Sequence, residues 1–193
     1  MKRITVFCGS SLGTEEIFTS QAILLGKTLA NQGIEIVYGG ARVGLMGAVA
    51  DAALNEGGKV IGVLPNFLKS KEIAHLRLTE LILVDSMHER KTKMNALCDG
   101  VIALPGGFGT LEELFEMLTW AQLGLHTKPI AVLNINGFYN SLLNMLQIMV
   151  DKGFLKEINQ KMLLVSDNID DLLFQMNNYA APTVTKWITS DKV

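Results

Sequence analysis

The fold is decided by one stretch, Val101-Ile102-Ala103-Leu104-Pro105-Gly106-Gly107-Phe108-Gly109-Thr110-Leu111-Glu112-Glu113. A buried strand that ends in glycines and turns directly into a helix leaves backbone N–H groups facing solvent, with the helix dipole behind them. Such a turn favours a bound anion. Thr110 and Glu113 also fit the capping box, so Glu113 either only closes a helix end or is an ionised carboxylate beside a bound phosphate ester.

Outward from this stretch, apolar runs of strand length alternate with amphipathic segments of helix length, and glycines stand at most junctions. This rhythm predicts repeated strand–helix–strand units and a parallel sheet. We expect an α/β fold: a doubly wound, mostly parallel sheet of about seven strands with helices on both faces. The expected strands begin with Arg3 to Cys8 and end with Met162 to Val165.

Composition limits the class of protein. The 193 residues suit a single domain over 1–193, with a loose or partner-bound tail over about 180–193. A net charge of −2 without a basic block predicts no nucleic-acid partner, and the lack of a long apolar run predicts no membrane span. Two cysteines are too few for a disulfide framework, and the chain starts without a signal-peptide pattern, so we expect a cytoplasmic protein.

Several groups are expected at the carboxyl edge of the sheet, where doubly wound proteins bind ligands. The turns at Gly9, at Gly39-Gly40 and at Gly106 belong to this edge, as does the helix that Ser86 and Glu89 should cap. On that helix Arg90 and Lys91 share the apolar stripe. They either extend to solvent or meet a fixed anion or an anionic ligand, because an unpaired buried cation is costly.

On the helix after Gly109, the pattern predicts a core face of Leu111, Leu114, Phe115 and Leu118. Glu113, Met117 and Trp120 would then point away from the core, toward a second subunit. His75, His88 and His126 are isolated in sequence and are expected at the surface, so no metal site is predicted.

Four motifs carry a resemblance to a known family. They are the glycine stretch 105–113, Met87-His88-Glu89-Arg90-Lys91, the turn 38–47, and Thr119-Trp120-Ala121-Gln122-Leu123-Gly124. In this order and spacing they resemble the LOG ("lonely guy") family, cytokinin riboside 5′-monophosphate phosphoribohydrolases often mislabelled lysine decarboxylases. The resemblance covers about residues 3–179. It implies a Rossmann-like homodimer, or a higher homo-oligomer, without a cofactor or metal.

The resemblance also implies a site. Arg90 and Glu113 would be the catalytic pair. The residues that would bind the substrate or its phosphate are Gly39, Gly40, Glu72, Met87, Lys91, Gly106, Gly107, Phe108, Gly109, Thr110 and Thr119. Glu72 would make the irregular stretch 66–79 a flap. Ala41 departs from the family, since many relatives have a third glycine there, and its methyl group would narrow the turn.

The implied reaction is hydrolysis of the N-glycosidic bond of a purine nucleoside 5′-monophosphate, AMP or an N6-substituted AMP, to free base and ribose 5-phosphate. Positive charge builds on the ribose as this bond breaks, and a carboxylate such as Glu113 would stabilise that charge. One alternative is a non-catalytic carrier of a phosphorylated cofactor, like the molybdenum-cofactor carriers. Lysine decarboxylation would need pyridoxal phosphate on a lysine, and no lysine has a context that singles it out.

Overall fold

The computed structural model describes residues 1–69 and 74–182 of the chain. Their strands form a parallel sheet in the order β4-β3-β2-β1-β5-β6-β7, which confirms the predicted fold class. The strands are β1 (Arg3–Phe7), β2 (Glu35–Tyr38), β3 (Val60–Pro65), β4 (Glu80–Val84), β5 (Gly100–Ala103), β6 (Ile130–Leu133) and β7 (Leu163–Ser166).

Helices cover both faces of this sheet, as expected. They are α1 (Glu16–Asn31), α2 (Gly44–Asn55), α3 (Asn66–Lys69), α4 (Met87–Leu97), α5 (Phe108–Gln122), α6 (Asn140–Asp151), α7 (Glu157–Gln160) and α8 (Ile169–Asn177). One hydrophobic core joins the sheet to α1, α2 and α8, and the other joins it to α4, α5 and α6. Within the described ranges, no helix is both long and apolar enough to span a bilayer.

The strand order places a topological switch point between β1 and β5. These two strands pair from Ile4 with Gly100 to Phe7 with Ala103. From β1 the chain continues toward β2 on one side, and from β5 it continues toward β6 on the other. The connections diverge there and leave a crevice beyond the carboxyl ends of both strands, where ligands bind in folds of this kind.

The apolar stripe of α1 differs from the pattern in the sequence. The sequence predicts a stripe of Ile17, Leu24, Leu25 and Leu29, but Ile17 and Leu24 are 40% and 47% exposed. Phe18 is buried instead, with Leu25 and Leu29, because its ring packs edge-on against Phe138 at a centroid distance of 5.9 Å. The buried stripe of α1 therefore begins at Phe18 and not at Ile17.

Candidate active site

Arg90 lies in the first turn of α4, and the cap of that helix determines its place. The Ser86 hydroxyl accepts a hydrogen bond from the Glu89 N–H at 3.1 Å, as the capping box predicts. The Glu89 carboxylate accepts from the Asp85 N–H at 2.8 Å, one residue before the cap. The helix therefore starts at a defined point beside the end of β4.

The guanidinium of Arg90 is fixed on three sides. Its Nε donates to the Val63 carbonyl of β3 at 3.0 Å, and its Nη1 donates to Glu113 Oε1 at 3.1 Å. Its Nη2 lies against Gly39, where a Cβ would stand 2.1 Å away. The side chain is only 12% exposed. Of the two alternatives, Arg90 thus meets a fixed anion, and Gly39 is the residue that leaves it room.

Glu113 is buried, with its side chain 11% exposed, and pairs with Arg90. Burial raises the pKa of its carboxyl from 4.5 to about 7, although the Arg90 guanidinium acts in the opposite direction. Burial thus opposes the expectation of an ionised carboxylate at this helix, and that expectation stays a prediction. Near pH 7 this group is divided between its two protonation states, which suits a general base or acid.

The capping box at Thr110 and Glu113 is wrong. Helix α5 begins earlier, at Phe108, with Gly107 as its N-cap and without a side-chain cap. Thr110 is already inside the helix and buried at 4% exposure. Since Glu113 does not close the helix end, its burial beside Arg90 leaves the chemical interpretation as the better one.

Helix α5 is rotated relative to its predicted orientation. Glu113 and Met117 face the core and are buried, together with Thr110, Leu114 and Ala121. Phe115 and Leu118, which the pattern assigns to the core, are only partly buried. The hydrophobic period alone could not show this, because α5 carries apolar side chains around much of its circumference.

Lys91 also meets fixed anions. Its Nζ donates to Glu112 Oε1 at 2.6 Å and to Glu116 Oε1 at 3.0 Å, which joins α4 to α5. Although desolvation acts to lower the pKa of Lys91, these two carboxylates raise it above its usual value. Lys91 therefore stays charged, and its role toward a substrate remains a prediction.

The first turn of α5 presents the free N–H groups that the predicted anion cradle requires, and anion binding there stays a prediction. The first helical hydrogen bond runs from the Leu111 N–H to the Gly107 carbonyl, so the N–H groups of Phe108, Gly109 and Thr110 precede the helical ladder. Gly107 and Gly109 have open space where a Cβ would stand. Phe108 is 95% exposed beside them. These N–H groups, at the positive end of α5, suit a phosphate.

Gly106 holds the cradle to its neighbours. A Cβ there would lie 2.1 Å from Thr110 Oγ1, so the buried threonine requires a glycine at this point. The Gly9 N–H donates to the Pro105 carbonyl at 3.0 Å, and the Leu45 N–H donates to the Gly9 carbonyl at 3.1 Å. The loops after β1, β2 and β5 are thereby tied together at the switch point.

A crevice of about 330 Å³ opens at this switch point, on the side of α1 and α2. Gly106 and Gly107 form one rim, and the loop 9–13 forms another. Its apolar walls include Phe18, Leu45 and Phe138. The sequence carries no signal for pairing Phe18 with Phe138, because 120 positions separate them and only the strand order brings them together.

The remaining residues that the resemblance assigns to substrate binding differ in their exposure and in their position relative to Glu113. Met87 is 40% exposed at the start of α4, and Gly40 is buried in the turn after β2. Thr119 is exposed and lies six residues beyond Glu113, about 9 Å along α5 and about 120° around it, so one copy of the chain does not bring the two together. Glu72 lies outside the described residues. The substrate contacts of all these residues remain predictions.

Metal ligands do not cluster in the described part of the chain, where no three His, Cys, Asp or Glu side chains come close enough to hold an ion. His88 is exposed as expected, whereas His75 is buried at 6% exposure. His126 is partly buried, with its Nε2 3.1 Å from the Met117 carbonyl. The surface prediction is therefore wrong for His75.

Fold and site together define an α/β protein with a glycine-rich strand-to-helix turn at the switch point and a buried arginine–carboxylate pair next to it. The solved structure of the molybdenum cofactor carrier protein from Chlamydomonas reinhardtii shares this fold, with a TM-score of 0.69 and 22% identity over 92% of this chain and 98% of that one.

Closer relatives identify the family. Residues 46–176 match the family model described as "Possible lysine decarboxylase". Cytokinin riboside 5′-monophosphate phosphoribohydrolase LOG7 of Arabidopsis thaliana is 46% identical over 92% of this chain and 82% of its own. A probable cytokinin riboside 5′-monophosphate phosphoribohydrolase of Oryza sativa, LOGL2, is 44% identical over 93% and 73%. The chain belongs to the LOG family of cytokinin riboside 5′-monophosphate phosphoribohydrolases.

Proposed function

We propose that this protein hydrolyses the N-glycosidic bond of purine nucleoside 5′-monophosphates, AMP or an N6-substituted AMP, to free base and ribose 5-phosphate. The observation that carries the proposal is the buried ion pair of Arg90 and Glu113 beside the first turn of α5. The relatives with this chemistry in their names match more than nine tenths of the chain.

The first turn of α5 holds the 5′-phosphate in this proposal. Three N–H groups that precede the helical ladder, with the positive end of the helix dipole, bind a dianion without a metal ion. Once the phosphate is fixed there, the ribose is placed within a few ångströms of it. Binding energy from the phosphate then orients the sugar for the bond-breaking step.

Glu113 acts on the ribose. When the C1′–N9 bond breaks, its electron pair leaves with the purine and the ribose becomes positively charged. The carboxylate stabilises that charge and accepts a proton from the attacking water, whose oxygen bonds to C1′. Overall, water adds OH to C1′ and H to the departing nitrogen. A pKa near 7 is suited to a group that accepts a proton from water at neutral pH.

Arg90 orients the carboxylate. Its planar fork keeps Nη1 on Glu113 while Nε is held by the β3 backbone. This pairing determines which Glu113 oxygen is left for the substrate. It also limits how far burial raises the pKa of Glu113.

The test is base release by purified protein from AMP and from isopentenyl-AMP, with ribose 5-phosphate measured in parallel. Glu113→Gln should lower kcat by at least about a hundredfold without unfolding the protein, because it keeps the shape and removes the charge. Glu157→Gln is the control: it also removes a carboxylate from an ion pair, but an exposed one with Lys161 on α7. Near-normal turnover by Glu113→Gln would exclude the assignment.

The same assay separates one rival function, and the surroundings of Lys91 argue against another. Tight nucleotide binding without base release would favour a non-catalytic carrier. A lysine decarboxylase needs a lysine that loses its proton easily to form a Schiff base. Lys91, the lysine among the predicted site residues, instead has a raised pKa and two carboxylate partners.

We also propose that a second copy of the chain completes the site. Helix α6 buries only Leu146 fully and exposes Met145 and Ile148 at 51% and 43%. Beside it, a groove of about 220 Å³ runs between α5 and α7, and its lining includes Thr119. A second copy seated on this face would explain how Thr119, turned away from Glu113 of its own chain, contacts a nucleotide.

Sedimentation equilibrium tests this assembly. The wild-type protein should be a dimer or a larger oligomer at micromolar concentration. Replacing Met145 and Ile148 together by Asp should yield monomers with unchanged secondary structure, because the charges cannot be buried. Replacing Ile17 and Leu24 of α1 together by Asp is the matched control, because both are exposed apolar residues on the other face of the sheet. A monomeric wild-type protein would contradict the proposal.

A further inference from the structure

His75 is buried in a part of the sequence that gives no hint of a core. Its side chain is 4% exposed, although its neighbour Leu76 is 86% exposed. A polar ring in this position needs partners for both nitrogens. Both ring nitrogens have partners, one in the same segment at Arg77 and one on α2 at Asp51.

The two ring nitrogens have defined roles. Nδ1 accepts a hydrogen bond from the Arg77 N–H at 3.2 Å, so the proton of the neutral ring is on Nε2. Nε2 then donates to Asp51 Oδ1 of α2 at 3.2 Å. Arg77 also donates to the Asp51 carboxylate and, at 3.3 Å, to Asn55 of α2. The segment 74–77 is in this way fastened to α2.

The same segment holds the turn that follows β2. The His75 N–H donates to the Gly40 carbonyl at 2.9 Å, and Ala74 forms an antiparallel bridge with Ala41. Gly40 adopts a φ of +78° and packs against Leu64 of β3. The turn is therefore clamped between β3 and the segment fastened by His75.

The Gly39-Gly40 turn packs against the guanidinium of Arg90. Gly39 touches the guanidinium so closely that a Cβ there would stand 2.1 Å from Nη2. The other two nitrogens are held by Val63 and Glu113. The Gly39-Gly40 turn is therefore the third contact of a guanidinium whose other two nitrogens are bonded to β3 and to Glu113.

We propose that His75 is a positioning residue: by fastening residues 74–77 to Asp51, it keeps the Gly39-Gly40 turn against Arg90 and so keeps Arg90 on Glu113. The inference rests on the proposed function for its effect on catalysis. Its effect on the Glu113 carboxyl does not depend on that function, because Arg90 lowers the pKa of Glu113 whether or not a substrate is turned over.

The experiment uses the full-length protein with two readouts. One is kcat and KM for release of adenine from AMP. The other is the pKa of Glu113, followed by ¹³C NMR of labelled glutamate carboxyls and assigned by the loss of its signal in Glu113→Gln. His75→Ala should lower kcat about tenfold or more, change KM less, and move the Glu113 pKa upward. His75→Gln, which can still reach Asp51, should restore part of both.

His126→Ala is the matched control. His126 has the same arrangement, with Nδ1 accepting from the Lys128 N–H at 3.2 Å and Nε2 3.1 Å from the Met117 carbonyl, but it precedes β6, on the other side of the switch point from His75. His126→Ala should lower the free energy of unfolding and leave the pKa of Glu113 unchanged. A purely structural His75 would behave in the same way.

A folded His75→Ala protein with wild-type kcat and an unchanged Glu113 pKa overturns the proposal. If His75→Ala does not fold, Asp51→Ala replaces it, because Asp51 is 46% exposed and its removal leaves no buried cavity. If the wild-type protein releases no base, the proposed function fails, and the Glu113 titration alone supports or overturns the role of His75.

Discussion

At the scale of single residues, the Arg90–Glu113 pair shows how a buried ion pair is made useful. Each partner is largely withdrawn from water, which is costly unless the remaining polar atoms are satisfied. Here the β3 backbone accepts the extra Arg90 donor, and burial raises the pKa of Glu113 to about 7. A carboxyl with this pKa exchanges a proton with water readily at neutral pH.

Gly39→Ala tests the contact between the Gly39-Gly40 turn and the guanidinium of Arg90. The added methyl group would overlap the guanidinium. We therefore expect the free energy of unfolding to fall by about 1–3 kcal/mol and most of the activity to be lost. In an Arg90→Ala background the same change should cost much less, because the overlapping atoms are gone. Urea denaturation of the four proteins in this cycle measures the coupling. Equal costs in both backgrounds would show that the methyl group meets something else.

At the scale of elements, the end of β2 carries an exception to the rule that buried polar groups are paired. Tyr38 is fully buried, and its hydroxyl has no hydrogen-bond partner among the described residues. Burial raises its pKa well above the usual value for tyrosine. The strand therefore holds an unsatisfied group next to the Gly39-Gly40 turn.

Tyr38→Phe should leave stability unchanged or raise it by up to about 1 kcal/mol, because removing an unpaired buried hydroxyl removes its desolvation cost. Guanidinium denaturation of both proteins is the measurement. Tyr139→Phe is the control, since the Tyr139 hydroxyl donates to the Leu104 carbonyl at 2.6 Å and its loss should destabilise by about 1 kcal/mol. A clear loss in Tyr38→Phe would mean that its hydroxyl is paired.

At the scale of the whole molecule, two buried groups give opposite pH dependences. The Glu113 pKa is raised from 4.5 to about 7, so the folded state binds more protons than the unfolded state in that window. Its contribution to stability is full below pH 4.5 and is lost as pH rises through 7. Burial lowers the His126 pKa from 6.5 to about 4, so its contribution is present above 6.5 and lost as pH falls through 4.

The two effects should largely cancel between about pH 4.5 and 6.5, and single variants should reveal them. In His126→Gln only the Glu113 contribution remains. The free energy of unfolding of this variant should therefore fall as pH rises, by about 3 kcal/mol in all, whereas that of the wild type changes less. Glu113→Gln should show stability that falls as pH drops, by about 2 kcal/mol, since the His126 ring is partly exposed. Denaturant midpoints from pH 4.5 to 8 check both slopes; parallel curves for all three proteins would exclude this account.

Much of this architecture could be predicted from the sequence. The alternation of apolar runs with amphipathic segments determined the parallel sheet and the edge at which its glycine turns meet, because these patterns are local and repeat along the chain. Ser86 as a helix cap and the direct turn from strand to helix at 105–113 were likewise local features, while anion binding by that turn stays a prediction. The resemblance supplied the pairing of Arg90 with Glu113, which the structure confirms as a contact.

Only the tertiary structure decided what surrounds those residues. It replaced the Thr110–Glu113 cap with a helix that starts at Phe108, and it turned Glu113 inward, because the side chain of Arg90 offered a buried partner. It also buried His75 against Asp51. Each outcome depends on contacts between elements far apart in sequence. Local patterns determine which elements form, whereas burial, partner and protonation of a side chain depend on how those elements pack.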